Sequence, residues 1–177
     1  MQLSQKERSF LEDQKKHEEL CIKKYNSYAN QARDPQLKQM FQTHAQHEQQ
    51  HLDSINQILA GQVPSMGGQQ QQQQQQQFQS PNLGQVGMVN QQDADLCQDM
   101  LDTEKYISHT YDTVIFEMQD SNIRQVLNHI QKEEQQHGED IFNYMKSKGM
   151  YQVQWTTKCA ERTNAIKGKK EYRENKW

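Results

Sequence analysis

Two pentapeptides, HEQQH at residues 47–51 and EEQQH at residues 133–137, both end in Glu-x-x-His. On a helix this spacing sets a carboxylate and an imidazole one turn apart on the same face, Glu48 with His51 and Glu134 with His137. Two more glutamates, Glu18 and Glu104, hold matching places in the chain. A shift of 86 residues carries Glu18 onto Glu104, Glu48 onto Glu134 and His51 onto His137 with no gap. Four carboxylates and two imidazoles in the order E, ExxH, E, ExxH form the side-chain set of a dinuclear iron or manganese site in a helical bundle core. Carboxylate oxygens suit Fe or Mn, and imidazole extends the choice to Zn. The competing reading is a solvated or vestigial polar layer.

Such side chains must be positioned by helices, and the sequence supplies four. Pro and Gly are nearly absent from Ser4–Ala32, Pro35–Ala60, Asp93–Met118 and Asn122–Ser147. Each stretch has an apolar face of helical period. The first face carries Leu11, Glu18, Cys21, Tyr25, Tyr28 and Ala32. The second runs from Leu37, Met40 and Phe41 through His44, Glu48 and His51 to Ile55 and Ile58. The third runs from Cys97, Met100 and Leu101 through Glu104 to Ile107, Tyr111, Val114, Ile115 and Met118. The fourth runs from Ile123, Val126, Leu127 and Ile130 through Glu134 and His137 to Ile141, Tyr144 and Met145. Each face is therefore interrupted near its middle by the metal-type residues, and no Lys or Arg lies on it. Four buried carboxylates without cations would cost many kcal/mol, so protonation or metal has to compensate.

Asp34-Pro35 and Asp120-Ser121 read as helix starts, with Asp as N-cap, and Gly149 reads as a stop. The short connections make each helix pair an antiparallel hairpin. The 86-residue repeat makes the two hairpins copies of one unit, packed about a pseudo-twofold axis. The expected fold is all-α, a four-helix bundle of two duplicated hairpins. Residues 1–60 are the first hairpin, 61–92 a Gln-rich flexible linker, 93–148 the second hairpin and 149–177 a basic tail. The polyglutamine run in the linker reads as a solvated low-complexity tract, with self-association or cross-linking as the alternative. In the tail, Lys158, Arg162, Lys167, Lys169, Lys170, Arg173 and Lys176 outnumber Glu161, Glu171 and Glu174. It reads as a short solvated helix, or as a docking segment for acidic partners.

Composition narrows the function. The chain has 177 residues, 32% of them hydrophobic, and a formal net charge of -3. Its mean hydropathy is -1.20. This charge gives no reason to expect nucleic acid or an anionic membrane as partner. No apolar run approaches the roughly 20 residues needed to span a bilayer. MQLSQKERSF has no apolar core, so a secretory signal is not expected. Cys21, Cys97 and Cys159 stand far apart without a CxxC, which argues against a zinc ribbon or rubredoxin-type site. Other histidines carry weaker signals. His44 is an extra ligand or a partly buried residue, His47 is expected on the flank, and His17, His109 and His129 are expected at the surface or hydrogen-bonded. Cys21 either lines the site or is an inert buried thiol.

The ligand order resembles the ferritin-like superfamily, which includes rubrerythrins and bacterioferritins. That resemblance implies that Glu48 and Glu134 bridge two metals, Glu18 and Glu104 bind one each, and His51 and His137 complete the ends. Tyr25 and Tyr111 would stand behind the ligands or be aromatic core. Two longer stretches are more specific. DMLDTEKYISHTYDTVIFEMQD and VLNHIQKEEQQHGEDIFNYMKSKGMY resemble the spore coat protein F (Coat F) family of endospore-forming bacteria. LEDQKKHEELCIKKYNSYANQARDPQLKQMFQTHAQHEQQHLDSINQILAGQVP resembles the N-terminal half of clostridial members. The resemblance implies a coat component made in the mother-cell cytoplasm and located in the spore coat, with other coat proteins as partners and a homodimer possible. A structural role ranks first. A dinuclear iron or manganese oxidoreductase of the peroxidase, catalase or ferroxidase kind, acting on H2O2 or O2, is the alternative.

Overall fold

Every helix start in the computed structural model is marked by a side-chain cap. Residues 2–64 and 89–151 are described. The polyglutamine tract and the basic segment after Tyr151, with Cys159, Trp155 and Trp177, lie outside the described residues. Helix α1 spans Gln5–Gln31, α2 Pro35–Leu59, α3 Gln91–Glu117 and α4 Ser121–Ser147. Ser4 and Glu7 form a capping box at α1: the Ser4 hydroxyl accepts from Glu7 N, and Glu7 accepts from Ser4 N. Asp34 and Asp120 cap α2 and α4 by accepting from Gln36 N and Asn122 N, and Pro35 takes the first helical position.

Helix α3 begins at Gln91, earlier than its apolar pattern implied. The reason is Asn90, whose side chain accepts from Gln92 N and Asp93 N and so fixes the start inside the stretch read as linker. Ser4 and Asn90 are themselves related by the 86-residue shift, so the caps were duplicated with the helices. Gly149 closes α4 at φ 72°, with Met150 N on Met145 O and Gly149 N on Lys146 O. Gly61 closes α2 in the same way at φ 85°. A side chain at either position would strain the left-handed backbone.

Helices α1 and α2 pack as one hairpin and α3 and α4 as the other; α1 also meets α3, and α2 meets α4. Contacts across the hairpins fix the directions. Tyr28 Oη donates to Asp99 at 2.7 Å, and Thr110 Oγ1 to Gln14 at 3.2 Å, so α1 and α3 run antiparallel. The end of α2 therefore lies at the opposite end of the bundle from the start of α3.

The core is a sandwich along the bundle axis. Leu11, Ile55, Ile58, Met118, Ile123 and Leu127 fill one end, and Tyr25, Phe41, Leu37, Met100 and Met145 the other. Burying each such side chain contributes about 1.5–3 kcal/mol. These apolar plugs keep water from the polar layer between them.

A duplicated brace ties the hairpins together. Glu7 accepts from the backbone N–H of Gln119, just before α4, at 2.9 Å. At the 86-shifted position, Asp93 accepts from Arg33 N at 2.9 Å and Asp34 N at 3.1 Å, just before α2. Each first-turn carboxylate thus holds the other hairpin's corner. Asp93→Ala removes two charge-assisted bonds and is expected to lower stability by about 2–4 kcal/mol in urea titrations. An unchanged midpoint would mean that the corner holds without the brace.

Candidate metal centre

All six residues expected as ligands meet in the middle of the bundle. Glu18, Glu48, His51, Glu104, Glu134 and His137 are each at most 2% exposed. Their placement follows from the heptad steps that put Glu18 between Leu11 and Tyr25, and Glu104 between Cys97 and Tyr111, on the faces that pack inward. The cluster divides into two overlapping groups. One is Glu18, Glu48, His51 and Glu134, and the other is Glu48, Glu104, Glu134 and His137. Within each group, one ligand-type atom per residue lies within 4.8 Å of the others. Glu48 and Glu134 belong to both.

The inner atoms are arranged about the pseudo-twofold axis. His51 Nδ1 lies 3.1 Å from Glu134 Oε1, and His137 Nδ1 lies 2.9 Å from Glu48 Oε1. Tyr111 donates its phenol to Glu18, and Tyr25 donates to Glu104. The two tyrosines thus orient the two outer carboxylates, each from the opposite hairpin. They also pack as core: Tyr25 stacks edge-on against His44, with ring centroids 5.3 Å apart.

The donor set fits a pair of cations. Among the described residues, Oε2 of Glu18, Glu48, Glu104 and Glu134 has no hydrogen-bond partner although each atom is buried. A native core seldom leaves even one carboxylate oxygen in that condition, and here four do so in one layer. No Lys or Arg is buried among the described residues. His51 is the nearest compensating charge, 3.5 Å from Glu48 Oε2 and 3.6 Å from Glu18 Oε2.

The electrostatics record the crowding. Burial, reinforced by Glu48 and Glu18, pushes Glu134 up to about 8. Burial likewise raises Glu48, despite the His51 hydrogen bond, and it raises Glu104 together with the charge of Glu134. Burial also opposes ionisation of Glu18, but hydrogen bonding and attraction to His51 outweigh it and hold Glu18 below the usual range. Burial disfavours charge on His51, yet four carboxylates led by Glu133 and Glu134 raise it well above an ordinary histidine. His137 goes the other way, lowered by burial and by the neighbouring imidazoles of His44, His51 and His47.

These shifts have a consequence for stability. A carboxylate with a raised folded pKa binds more protons folded than unfolded, so its contribution is lost as pH rises from about 4.5 towards the folded value. His51 acts with the same sign as pH rises above 6.5; His137, lowered when folded, acts with the opposite sign, but only until its unfolded imidazole has lost its proton. In the presence of chelator the protein is therefore expected to lose about 1–2 kcal/mol between pH 6.5 and 8. Thermal melts across that range check it, and stability that rises with pH would contradict it.

Two residues beside the cluster escaped the sequence reading. His47, expected on the flank, turns its Nδ1 to within 3.1 Å of His137 Nε2. Its counterpart Glu133 lies 2.9 Å from His51 Nε2. A carboxylate only accepts, so His51 keeps Nε2–H for Glu133 and presents Nδ1 to the centre. The signal was available in the pentapeptides. Their first letters stand one turn before each histidine, and in antiparallel helices this brings them beside the other helix's histidine.

His44 is fully buried, stacked on His137 with centroids 4.2 Å apart, and belongs to neither ligand group. Cys21 is a buried free thiol, raised by burial and by the surrounding carboxylates, and so is held as an inert S–H. His17 contacts Gln14, His129 contacts Glu133, and His109 is 82% exposed by side chain.

With the geometry in place, comparisons with known proteins add one finding. The family model for the Coat F domain matches residues 92–154. No curated protein and no solved structure matched the chain. The matched stretch takes in nearly all of α3 and the whole of α4, with Glu104, Glu134 and His137. Over the second hairpin, then, the chain is similar to the Coat F domain.

Proposed function

We propose that this protein is a structural component of the spore coat whose ferritin-like bundle is fastened by a dinuclear metal centre. The Coat F match supports the location. The observation that carries the metal is the layer of four buried carboxylate oxygens without partners, divided between two overlapping ligand groups. Glu48 and Glu134 would serve both ions. Glu18 with His51, and Glu104 with His137, would complete one ion each. Iron or manganese fits the carboxylate-rich set, and zinc is accommodated by the two imidazoles. Other coat proteins are the proposed partners, with synthesis in the mother cell.

In this reading the chain's own groups do most of the work. The apolar plugs exclude water, Tyr25 and Tyr111 hold the outer carboxylates, and Glu133 and His47 fix the rings of His51 and His137. Fractionation of spores tests the placement. The protein is expected in the insoluble coat fraction, and recovery from vegetative cytosol alone would overturn it.

A second reading is an oxidoreductase acting on H2O2 or O2. The observation favouring it is a groove between α3 and α4 that reaches Glu104 and Glu134 from the surface. A bound pair of iron or manganese ions supplies one-electron redox chemistry. Peroxide turnover by metal-loaded protein is expected to vanish in Glu48→Ala, and equal rates in both would end this reading.

A further inference from the structure

Glu104 and Glu134 are buried, yet they form the floor of a groove of about 410 Å³ between α3 and α4. Its rim is exposed and includes Lys105 and Asp112; Lys105 is paired with Asp102 at 3.1 Å, which offsets its charge. Between rim and floor stand Ser108 and Gly138. Gln131 spans the mouth, donating to Ser108 O at 2.9 Å and to Asp112 Oδ1 at 2.5 Å.

The repeat shows what is special about this seam. The same shift that superposes every ligand places Ile22 at the position of Ser108 and Leu52 at that of Gly138. Both are half-buried on the α1–α2 hairpin. The duplicated hairpins therefore agree in their ligands and differ where the α3–α4 groove narrows. One carries a hydroxyl and a hydrogen atom, the other two branched aliphatic side chains. Gly138 is not needed for backbone strain or close packing. A Cβ there would meet Glu104 Cβ at 3.7 Å and Leu101 Cδ1 at 3.8 Å, both ordinary contacts. What the glycine provides is an open path beside Glu104.

We propose that the α3–α4 groove is the way in for the divalent cations of the centre, and that Ser108 and Gly138 keep it open on this hairpin alone. The inference rests on the metal-binding reading above. Asp112, the Ser108 hydroxyl and the Gln131 amide oxygen give a partly dehydrated cation successive oxygen partners on its way to Glu104 and Glu134, the hard ligands such ions prefer.

Manganese(II) uptake by the full metal-free chain, followed in time by loss of the free-ion paramagnetic resonance signal, tests this. Gly138→Leu and Ser108→Ile, which copy the other hairpin, are each expected to slow loading at least about tenfold, as an added barrier to passage. Both are expected to reach two ions per chain at equilibrium. Gly138→Ala is expected to load like the wild type. If Gly138→Leu does not fold, Ser108→Ile carries the test alone. Wild-type loading rates in the folded narrowing variants would overturn the route while leaving the metal centre intact. Failure of the wild type to take up any ion would remove the centre, and the route with it.

Discussion

Manganese(II) or iron(II) added to the metal-free protein is expected to raise its Tm by about 15 °C or more. Ligand that binds only the folded state stabilises by about 4 kcal/mol per site at a thousandfold excess over Kd. For a domain of this size each kcal/mol moves Tm by about 4 °C. The gain has a structural source. Cations give partners to Oε2 of Glu18, Glu48, Glu104 and Glu134, which find no hydrogen bond among the described residues. The shift is expected to be larger at pH 8 than at pH 6.5, because protons compete for Glu134 and its neighbours at the lower pH. Calorimetry with and without chelator measures it, and coincident melts would mean that the polar layer is satisfied in some other way.

The second large effect separates stability from binding. Glu48→Gln with Glu134→Gln removes two carboxyls that burial makes costly to ionise, but keeps side-chain volume and an amide oxygen to accept from His137 and His51. At pH 8 the metal-free double variant is expected to be more stable than the metal-free wild type by about 2–5 kcal/mol. It is also expected to lose both ions, since each group would be left with a single carboxylate, Glu18 or Glu104. Core polar substitutions ordinarily destabilise, so a gain would identify these residues as kept for a bound cation and not for folding. A variant that is less stable and still binds two ions would contradict that.

How much of this was legible in the sequence depends on the kind of interaction. The four helices, their inward faces and the six clustered side chains follow from period, and burial agrees at nearly every position named. Tyr28 and Ala32 are only partly buried at the edge of the core, whereas Ala29 turns inward. What period cannot show is contact between helices that depends on their direction. His47 and Glu133 look like flank residues on a single helix, and only the antiparallel pairing of α2 with α4 brings each to a histidine on the other. The Glu7 and Asp93 braces were hidden for a related reason. An acidic residue in a first turn is common, and its backbone partners belong to a distant corner. The Asn90 cap was missed because its neighbours share the composition of the preceding Gln-rich stretch. His44 shows the opposite limit: its spacing is that of a ligand, but the position across the bundle is not matched in the repeat, where Ile130 stands.

Metal content bears most directly on the central claim, that this four-helix bundle is built around a pair of cations. Elemental analysis of the protein purified from spores is expected to find two transition-metal ions per chain, iron or manganese first. The Glu48→Gln, Glu134→Gln double variant prepared in parallel is expected to have none. A wild-type protein without bound metal, and with no uptake when iron, manganese or zinc is supplied, would contradict the claim.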